Sequence, residues 1–196
     1  MRAFLTSICI FSALIATGLS LTCDHCMNIE GDSCSGISAE CNEGETCVTK
    51  IESVTHGDKK GHLACFKGCG KYDPKICKKT MYSHSDGLNF VLYTECCNED
   101  NCNCGTVKVP PINTTENGFE CPTCYHTGSS ECISPKIMKC VGNEGQCFDF
   151  SGNMRIPGGH YEEQVIKGCV SAGACDIGLQ LLKGLTIFEL KRFSCI

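Results

Sequence analysis

The sequence predicts an all-β, disulfide-rich protein that is built from two tandem copies of one small module. Cysteine accounts for 21 of the 196 residues, a share at which a secreted disulfide scaffold is the usual interpretation. The cysteine spacings of the first half recur in the second half, which indicates a structural repeat. Runs of β-branched and aromatic residues alternate with glycine-rich turn signals, and we find no convincing amphipathic helix.

Residues 1–20 predict a signal peptide, so the mature protein is expected to be secreted and extracellular. Ala3 to Ala16 is a mostly apolar run, and Gly18 and Ser20 are the small residues that a signal peptidase reads. The alternative is a retained membrane anchor, because the uncharged stretch from Ala3 to Cys23 is nearly long enough to span a bilayer. Cleavage after Ser20 removes Cys9 and leaves twenty of the 21 cysteines, an even number that suits a fully oxidised protein.

Two modules, 21–104 and 119–196, are defined by the recurring cysteine pattern. Each opens with a Cys-x-x-Cys motif, Cys23-x-x-Cys26 in the first and Cys121-x-x-Cys124 in the second. The next three gaps are seven, six and five residues in the first module and seven, seven and six in the second. A module of about 80 residues buries only a marginal core, so we expect disulfides to supply much of its stability.

Each module is predicted to form three β-hairpins that extend from a disulfide-bonded base. In the first module, the polar cluster from His56 to Gly61 is a turn that follows the strand-like run Val48 to Val54. Asp86-Gly87 is a second turn, and the aromatic and β-branched run Asn89 to Thr94 follows it.

In the second module, turn residues again separate the predicted strands. Ser151-Gly152-Asn153 and Pro157-Gly158-Gly159 are expected to punctuate one hairpin. Leu185 to Leu190 is rich in apolar and β-branched residues, so we expect it to be the return strand of the last hairpin.

Residues 105–118 are predicted to link the two modules. Val107 to Ile112 should be extended, because proline fixes φ and restricts the residue before it. Asn113-Thr114-Thr115 is the only Asn-x-Ser/Thr sequence in the chain. We expect a glycan on Asn113, since the linker is accessible in a secreted protein; the alternative is an unused site.

No metal or other cofactor is predicted. Cys23-x-x-Cys26 and Cys121-x-x-Cys124 each supply half of a zinc motif, but no second Cys-x-x-Cys or His-x-x-x-His follows at zinc spacing. A thioredoxin-like redox motif is also disfavoured, because no strand–helix periodicity surrounds either pair. These pairs are therefore interpreted as disulfide cysteines.

The sequence contains no recognisable catalytic motif, so a binding role is predicted. The six histidines fall in predicted loops and turns, and neither Gly-x-Ser-x-Gly nor His-Glu-x-x-His occurs. Asp24, Asp32, Glu99 and Asp100 are interpreted as solvated loop charges. The basic residues are scattered, and loss of Arg2 takes the net charge from −5 to −6, which does not favour nucleic-acid binding.

The sequence Cys96-Cys97-Asn98-Glu99-Asp100-Asn101-Cys102-Asn103 closes the first module as a disulfide knot. A Cys-Cys pair, four residues and then Cys-Asn resembles the closing signature of the lymphocyte-antigen-6/urokinase-receptor family. The resemblance implies two tandem three-finger (snake-toxin-like) domains. The stretch itself disfavours a secreted phospholipase A2, whose Cys-Cys-x-x-His-x-x-Cys motif needs a histidine and one more residue than this stretch has. The second module stops at Ile196, so we expect it to lack the final knot loop.

The same resemblance implies a pairing for most cysteines. In the first module the implied bonds are Cys23–Cys47, Cys26–Cys34, Cys41–Cys69, Cys77–Cys96 and Cys97–Cys102. In the second module they are Cys121–Cys147, Cys124–Cys132, Cys140–Cys169 and Cys175–Cys195. Cys65 and Cys104 are left over, and by elimination we expect them to bond to each other.

Within this family, the whole mature chain resembles the gamma-type phospholipase A2 inhibitors. The resemblance rests on the opening Leu-x-Cys-x-x-Cys, the cysteine spacings, the eight cysteines of the second module and Lys167-Gly168-Cys169-Val170-Ser171. It implies a non-enzymatic protein that binds a secreted phospholipase A2 noncovalently, often as an oligomer. Those inhibitors have an apolar, proline-rich interdomain region. Its counterpart here, Val109-Pro110-Pro111-Ile112, is shorter and is a candidate partner-binding segment.

The alternative function is a soluble three-finger protein that signals or modulates a receptor through a different protein partner. Tandem modules of this family also occur in cell-surface receptors, where a glycolipid anchor requires a cleavable apolar tail. The chain ends Lys191-Arg192-Phe193-Ser194-Cys195-Ile196, so no membrane anchor is expected.

Overall fold

The computed structural model describes residues 20–57, 61–156, 159–178 and 183–196, and the predicted signal peptide lies outside these ranges apart from its last residue. The strands of the first module are β1 (Thr22–Asn28), β2 (Ile37–Glu40), β3 (Glu45–His56), β4 (His62–Lys71), β5 (Lys79–Ser85) and β6 (Leu88–Cys97). The elements of the second module are β7 (Glu116–Thr127), β8 (Lys136–Val141), β9 (Glu144–Arg155), β10 (Glu162–Ser171), α1 (Ala174–Ile177) and β11 (Thr186–Cys195). The predicted all-β, disulfide-rich fold class is confirmed.

Three antiparallel hairpins build the first module. β1 pairs with β2, β3 with β4 and β5 with β6, and β3 also pairs with β6. The turn predicted at Asp86-Gly87 joins β5 to β6, and Gly87 has a φ of 93°, a left-handed conformation that glycine adopts without steric cost. The turn predicted from His56 to Gly61 lies between β3 and β4, although its residues 58–60 lie outside the described ranges.

The second module repeats the first two hairpins and alters the third. β7 pairs with β8 and β9 with β10, whereas β11 runs along the other edge of β9. The predicted return strand is present and extends to Cys195. In the predicted turn Pro157-Gly158-Gly159, the first two residues lie outside the described ranges.

The segment Ser151-Gly152-Asn153 corrects a sequence prediction, because it lies inside β9 and is not a turn. Gly152 has a packing reason to be glycine. A Cβ atom there would lie 2.3 Å from the carbonyl oxygen of Glu189 in β11. The glycine therefore permits a close approach of two strands, which is the other common meaning of glycine in a strand-like segment.

Two local features also differ from the prediction. α1 is a single turn of helix where no helix is predicted, and it follows the left-handed Gly173. β7 begins at Glu116, so its first residues belong to the segment predicted as linker 105–118. Over the described ranges, no helix has the length and apolar character needed to cross a membrane.

A continuous sheet runs through both modules, in the order β11-β9-β10-β5-β6-β3-β4-β1-β2. The junction is an antiparallel pairing of β5 with β10, in which Ser85 lies opposite Gly168 and Ser83 lies opposite Val170. A Cβ atom on residue 168 would lie 2.0 Å from the carbonyl oxygen of His84, so the approach of the two strands requires glycine. Strand pairing therefore joins the modules in addition to the linker.

The largest apolar cluster lies between the modules. Val54, Leu88 and Phe90 of the first module pack in this cluster. The second module contributes Phe150, Met154, Ile156 and Ile166. The buried centre of each module's base consists of cysteines instead. Full burial of such an apolar side chain contributes roughly 1.5–3 kcal/mol, so the two modules stabilise each other.

Candidate binding surface

Nine disulfide bonds join the described residues of the two modules. In the first module they are Cys23–Cys47, Cys26–Cys34, Cys41–Cys69, Cys77–Cys96 and Cys97–Cys102. In the second module they are Cys121–Cys147, Cys124–Cys132, Cys140–Cys169 and Cys175–Cys195. These pairs are the ones that the family resemblance implies. They hold the positions from which the fingers extend.

The predicted Cys65–Cys104 bond is absent, because these two cysteines face different surroundings. Both are free in the described part of the chain. Cys65 is buried in β4, and its Sγ lies 3.7 Å from the Sγ of Cys34, beside the first-finger disulfide. Cys104 follows the knot and is exposed. Burial raises the pKa of the Cys65 thiol, which favours its protonated form.

Asn103, which follows the last cysteine of the knot, ties the knot to the first finger. Its buried side-chain oxygen accepts a hydrogen bond from the Asp24 N–H at 2.9 Å, and its amide nitrogen donates to the Asp24 carbonyl oxygen at 2.9 Å. The same nitrogen donates to the carbonyl oxygen of Val48 at 3.3 Å. One asparagine thus satisfies buried backbone groups of both β1 and β3, which explains the Cys-Asn ending in physical terms.

Asp24 is not the solvated loop charge that the sequence predicts. Its carboxylate is buried and lies 3.6 Å from Nζ of Lys67, whose side chain is also buried. Another carboxylate contact comes from the Gly36 N–H at 3.1 Å. Asp24 therefore has a structural role at the base of the first finger. The other acidic residues in that prediction are exposed, namely Asp32, Glu99 and Asp100.

The first finger of the first module carries the negative charge of the protein. Residues 22–46, which we call the acidic finger, contain six acidic residues and no lysine or arginine. Their charge is −6, and because the whole chain has a charge of −5, all the other residues together carry +1. The exposed acidic residues of this finger are Glu30, Asp32, Glu40 and Glu43. The net charge of the whole chain hides this asymmetry, which a charge count by segment reveals.

The acidic finger also exposes large apolar side chains. Met27 in β1 is 69% exposed and Ile37 in β2 is 73% exposed. Ile37 lies opposite His25, which is two residues before Met27, so both apolar side chains belong to the same face of the hairpin. An apolar patch with a charged rim is typical of a surface that binds another protein.

The first finger of the second module is apolar without being acidic. Ile137 in β8 is 64% exposed, close to the value for Ile37 in the acidic finger. Lys136 and Lys139 in β8 form ion pairs with Asp86 and Glu116, at 2.7 and 2.9 Å. The two first fingers are therefore a matched pair that differs in charge.

The linker residues that the sequence suggests as partner contacts are partly accessible. Val109 and Ile112 are half-buried, and the two prolines between them are exposed. Asn113 is exposed as well, and its side-chain oxygen accepts a hydrogen bond from the Thr115 N–H at 3.0 Å. This segment leaves surface for a partner and for a glycan.

Buried polar groups join the two modules around their shared core. Nδ1 of His84 in β5 lies 2.6 Å from a carboxylate oxygen of Glu144, whose side chain is fully buried. Glu52 in β3 accepts hydrogen bonds from the N–H groups of Lys183 and Gly184, at 2.5 and 2.7 Å. Burial raises the pKa of Glu52, and the two hydrogen bonds oppose that shift. These contacts fix how the two modules pack against each other.

Three groups of potential metal ligands occur in the described ranges, and each contains disulfide-bonded cysteine. Two of them are the cysteine clusters of the module bases. The third combines His84 and Glu144 with Cys169. Because a disulfide sulfur supplies no thiolate, these groups do not favour a metal centre.

Two hairpin modules on disulfide bases define a tandem three-finger protein, which is a class of binding scaffold. The profile described as u-PAR/Ly-6 domain matches residues 19–105 and 117–189. The chain belongs to the u-PAR/Ly-6 family and contains two domains of that type. The prediction of tandem three-finger domains is therefore confirmed.

Individual proteins that are similar to this chain include inhibitors and a testis-expressed protein. A phospholipase A2 inhibitor of the gamma type from Elaphe climacophora is 30% identical over 175 residues, 88% of this chain and 84% of the relative. Testis-expressed protein 101 of Cricetulus griseus is 28% identical over 155 residues, 74% of this chain and 58% of the relative. The crystal structure of mouse TEX101 matches 90% of this chain and 96% of that chain, with 19% identity and a TM-score of 0.36.

The comparisons confirm the predicted resemblance to gamma-type phospholipase A2 inhibitors. The u-PAR/Ly-6 domains and the inhibitor relatives also indicate that the protein is not an enzyme, as the sequence predicts.

Proposed function

We propose that this protein is a secreted inhibitor of secreted phospholipases A2, which it binds in a noncovalent complex outside the cell. The observation that carries the proposal is the 30% identity, over 84% of the relative's length, with the gamma-type phospholipase A2 inhibitor of Elaphe climacophora. The aligned 175 residues span both modules. The tandem arrangement, as a single copy or as an oligomer, is therefore the unit that inhibits.

The main contact in this proposal is the acidic finger. Its four exposed acidic residues attract a basic enzyme and speed the encounter, which electrostatic complementarity affects more than it affects final affinity. Met27 and Ile37 supply apolar area that is buried on binding. Because disulfides hold the finger in place, binding costs little conformational entropy. The segment from Val109 to Ile112 is proposed as a second contact.

Titration of acidic, neutral and basic secreted phospholipases A2 with the purified protein tests the inhibitory function. We expect reversible, stoichiometric inhibition of lipid hydrolysis that is strongest for basic enzymes. Inhibition should weaken as salt rises, because salt screens exposed charges. A complex should elute on size-exclusion chromatography. Unchanged hydrolysis across the whole panel, together with no complex, would refute the function.

Met27→Ser combined with Ile37→Ser tests the position of the contact. We expect Kd for the enzyme to rise by at least about tenfold, since a few buried anchor residues carry most of the energy of an interface. Ile137→Ser is the matched control in the non-acidic finger and should leave Kd unchanged. An unchanged Tm confirms folding of each variant. Equal effects of the two sets of changes would exclude the acidic finger as the main contact.

A second candidate function is a soluble three-finger protein that modulates a receptor or signals through another protein. A relative that is not named as an inhibitor, testis-expressed protein 101 at 28% identity over 74% of this chain, leaves room for this candidate. Affinity capture from plasma and from reproductive-tract fluid separates the two functions. A phospholipase A2 in the eluate supports inhibition, whereas a receptor ectodomain that is captured by wild type and lost with Met27→Ser and Ile37→Ser supports the second candidate.

We also propose that Asn113 carries an N-linked glycan in the secreted protein, because its side chain is exposed within the only acceptor sequence. Treatment with a peptide N-glycosidase should lower the mass of the wild type by that of one glycan. Asn113→Gln should show the lower mass without treatment, and an identical mass for both untreated proteins would refute glycosylation.

A further inference from the structure

An apolar cavity of about 100 Å³ lies between the two modules. Both modules line it, through Met81 and Leu92 of the first and through Phe148, Ile166, Ala174 and Phe193 of the second. An engineered apolar cavity of about 150 Å³ stays dry and binds benzene. The cavity between the modules is therefore large enough for a few carbon atoms of an apolar ligand.

A second cavity of about 310 Å³, which we call the polar cavity because Lys75, Lys79 and Asp176 line it, shares Met81 with the first. α1 also contributes to both cavities, through Ala174 in the apolar cavity and Asp176 in the polar cavity. Nζ of Lys75 lies 4.0 Å from the Asp176 carboxylate, whereas Lys79 has no ion pair with any described residue.

We propose that the two cavities together bind one fatty acid, with the end of its chain in the apolar cavity and its carboxylate beside Lys79. The apolar cavity accepts the end of one chain and is too small for the two chains of a phospholipid. The exposed ammonium group of Lys79, which lines the polar cavity, complements the negative carboxylate. This ligand site is separate from the acidic finger and does not depend on phospholipase inhibition.

Binding of decanoate to the full-length secreted protein tests the proposal directly. Isothermal titration below the critical micelle concentration should give saturable binding of one decanoate per chain. Decanol and decanoyl-lysophosphatidylcholine test the head group and should bind more weakly than decanoate. Absence of saturable decanoate binding would overturn the proposal, and tighter binding of the lysophospholipid would overturn the assignment of a fatty acid.

Variants in the two cavities locate the ligand. Lys79→Gln should weaken decanoate binding by about twofold to fivefold, the range of an exposed ion pair, and should leave decanol binding unchanged. Lys78→Gln is the matched control, because Nζ of Lys78 lies 3.7 Å from Glu95 and Lys78 lines neither cavity. Equal losses in the two lysine variants would overturn the placement of the carboxylate.

Ala174→Phe fills the apolar cavity and should weaken decanoate and decanol alike, by at least about tenfold, because the added ring occupies the space of the chain. Its Tm is measured to confirm folding. If this variant does not fold, the lysine variants still decide the proposal, since both changes are on exposed side chains. A folded Ala174→Phe variant with normal decanoate binding would place the ligand outside the cavity and overturn the proposal.

Discussion

Cys65 and Cys104 show that the direction of a side chain decides whether two cysteines can form a disulfide bond. Elimination pairs them, because the family pattern accounts for the other cysteines. In the fold, however, Cys65 is buried in β4 opposite Asn28 and Ile51, whereas Cys104 is exposed beyond the knot. Strand register decides which way a cysteine faces, and sequence spacing does not contain that information.

We expect thiol labelling to distinguish these two cysteines. Iodoacetamide should modify Cys104 in the native protein and should modify Cys65 only after denaturation, because burial shields this thiol and raises its pKa. Peptide mass spectrometry without reduction measures both. Cys104→Ser should remain unlabelled in the native state. If neither cysteine is labelled in the denatured, unreduced chain, the two are bonded to each other after all.

Glu52 is a second residue whose surroundings predict a measurable effect. Its pKa in the folded protein is above the ordinary value of 4.5, because burial raises it more than the hydrogen bonds from Lys183 and Gly184 lower it. The folded state therefore holds the proton more tightly than the unfolded state. The resulting stability is fully present below pH 4.5 and is lost as the pH rises through the folded-state pKa.

Glu52→Gln keeps a neutral side chain at every pH and isolates this effect. We expect the free energy of unfolding of the wild type, relative to this variant, to fall as the pH rises from about 3.5 to 7. Urea unfolding at a series of pH values measures the difference. The exposed Glu43→Gln serves as a reference. A relative stability that rises with pH would show that the two hydrogen bonds outweigh burial.

At the scale of the elements, local signals predict the hairpins where turn chemistry is unambiguous. Asp86-Gly87 is a turn because glycine adopts the left-handed conformation between two strand-like runs. Ser151-Gly152-Asn153 also combines glycine with polar turn-forming residues but lies inside β9, where glycine allows β11 to approach. Composition cannot separate these two uses of glycine, since the second depends on a strand more than thirty residues away.

The linker segment from Val109 to Ile112 is also expected to contribute to enzyme binding. Val109→Ser combined with Ile112→Ser should weaken enzyme binding without changing Tm, because half-buried apolar side chains still have area to bury against a partner. Pro110→Ser is a control for chain stiffness and should have a smaller effect. Inhibition assays and thermal unfolding measure the two properties. A lower Tm with normal binding would show that these residues pack within the protein instead.

At the scale of the whole molecule, the sequence predicts the charge of the acidic finger but not the junction between the modules. The charge of the finger is countable from residues 22–46 alone. The junction is not, because pairing of β5 with β10 brings together Ser83 and Val170, which lie in different modules and share no sequence motif. In the sequence, the apolar residues of the junction look like ordinary strand residues. Only the structure of both modules shows that they pack against each other.

This shared core predicts that the two modules unfold together. Phe150 in β9 is 2% exposed and packs in the cluster that contains Leu88 and Phe90 of the first module. Phe150→Ala should lower the free energy of unfolding by about 3–5 kcal/mol, the usual cost of such a cavity. Because the loss affects one cooperative unit, hydrogen exchange should accelerate in β3 and β6 as well as in β9 and β10.

Phe188→Ala is the control for the loss of an aromatic ring, since Phe188 in β11 is 80% exposed and should contribute little to stability. Calorimetry should give one transition for the wild type and for both variants. Faster exchange confined to the second module in Phe150→Ala would show instead that the strand pairing and the apolar cluster do not couple the modules. Faster hydrogen exchange in both modules of Phe150→Ala would mean that one shared core holds the modules together. The same core would then fix the positions of the acidic finger and of the cavity.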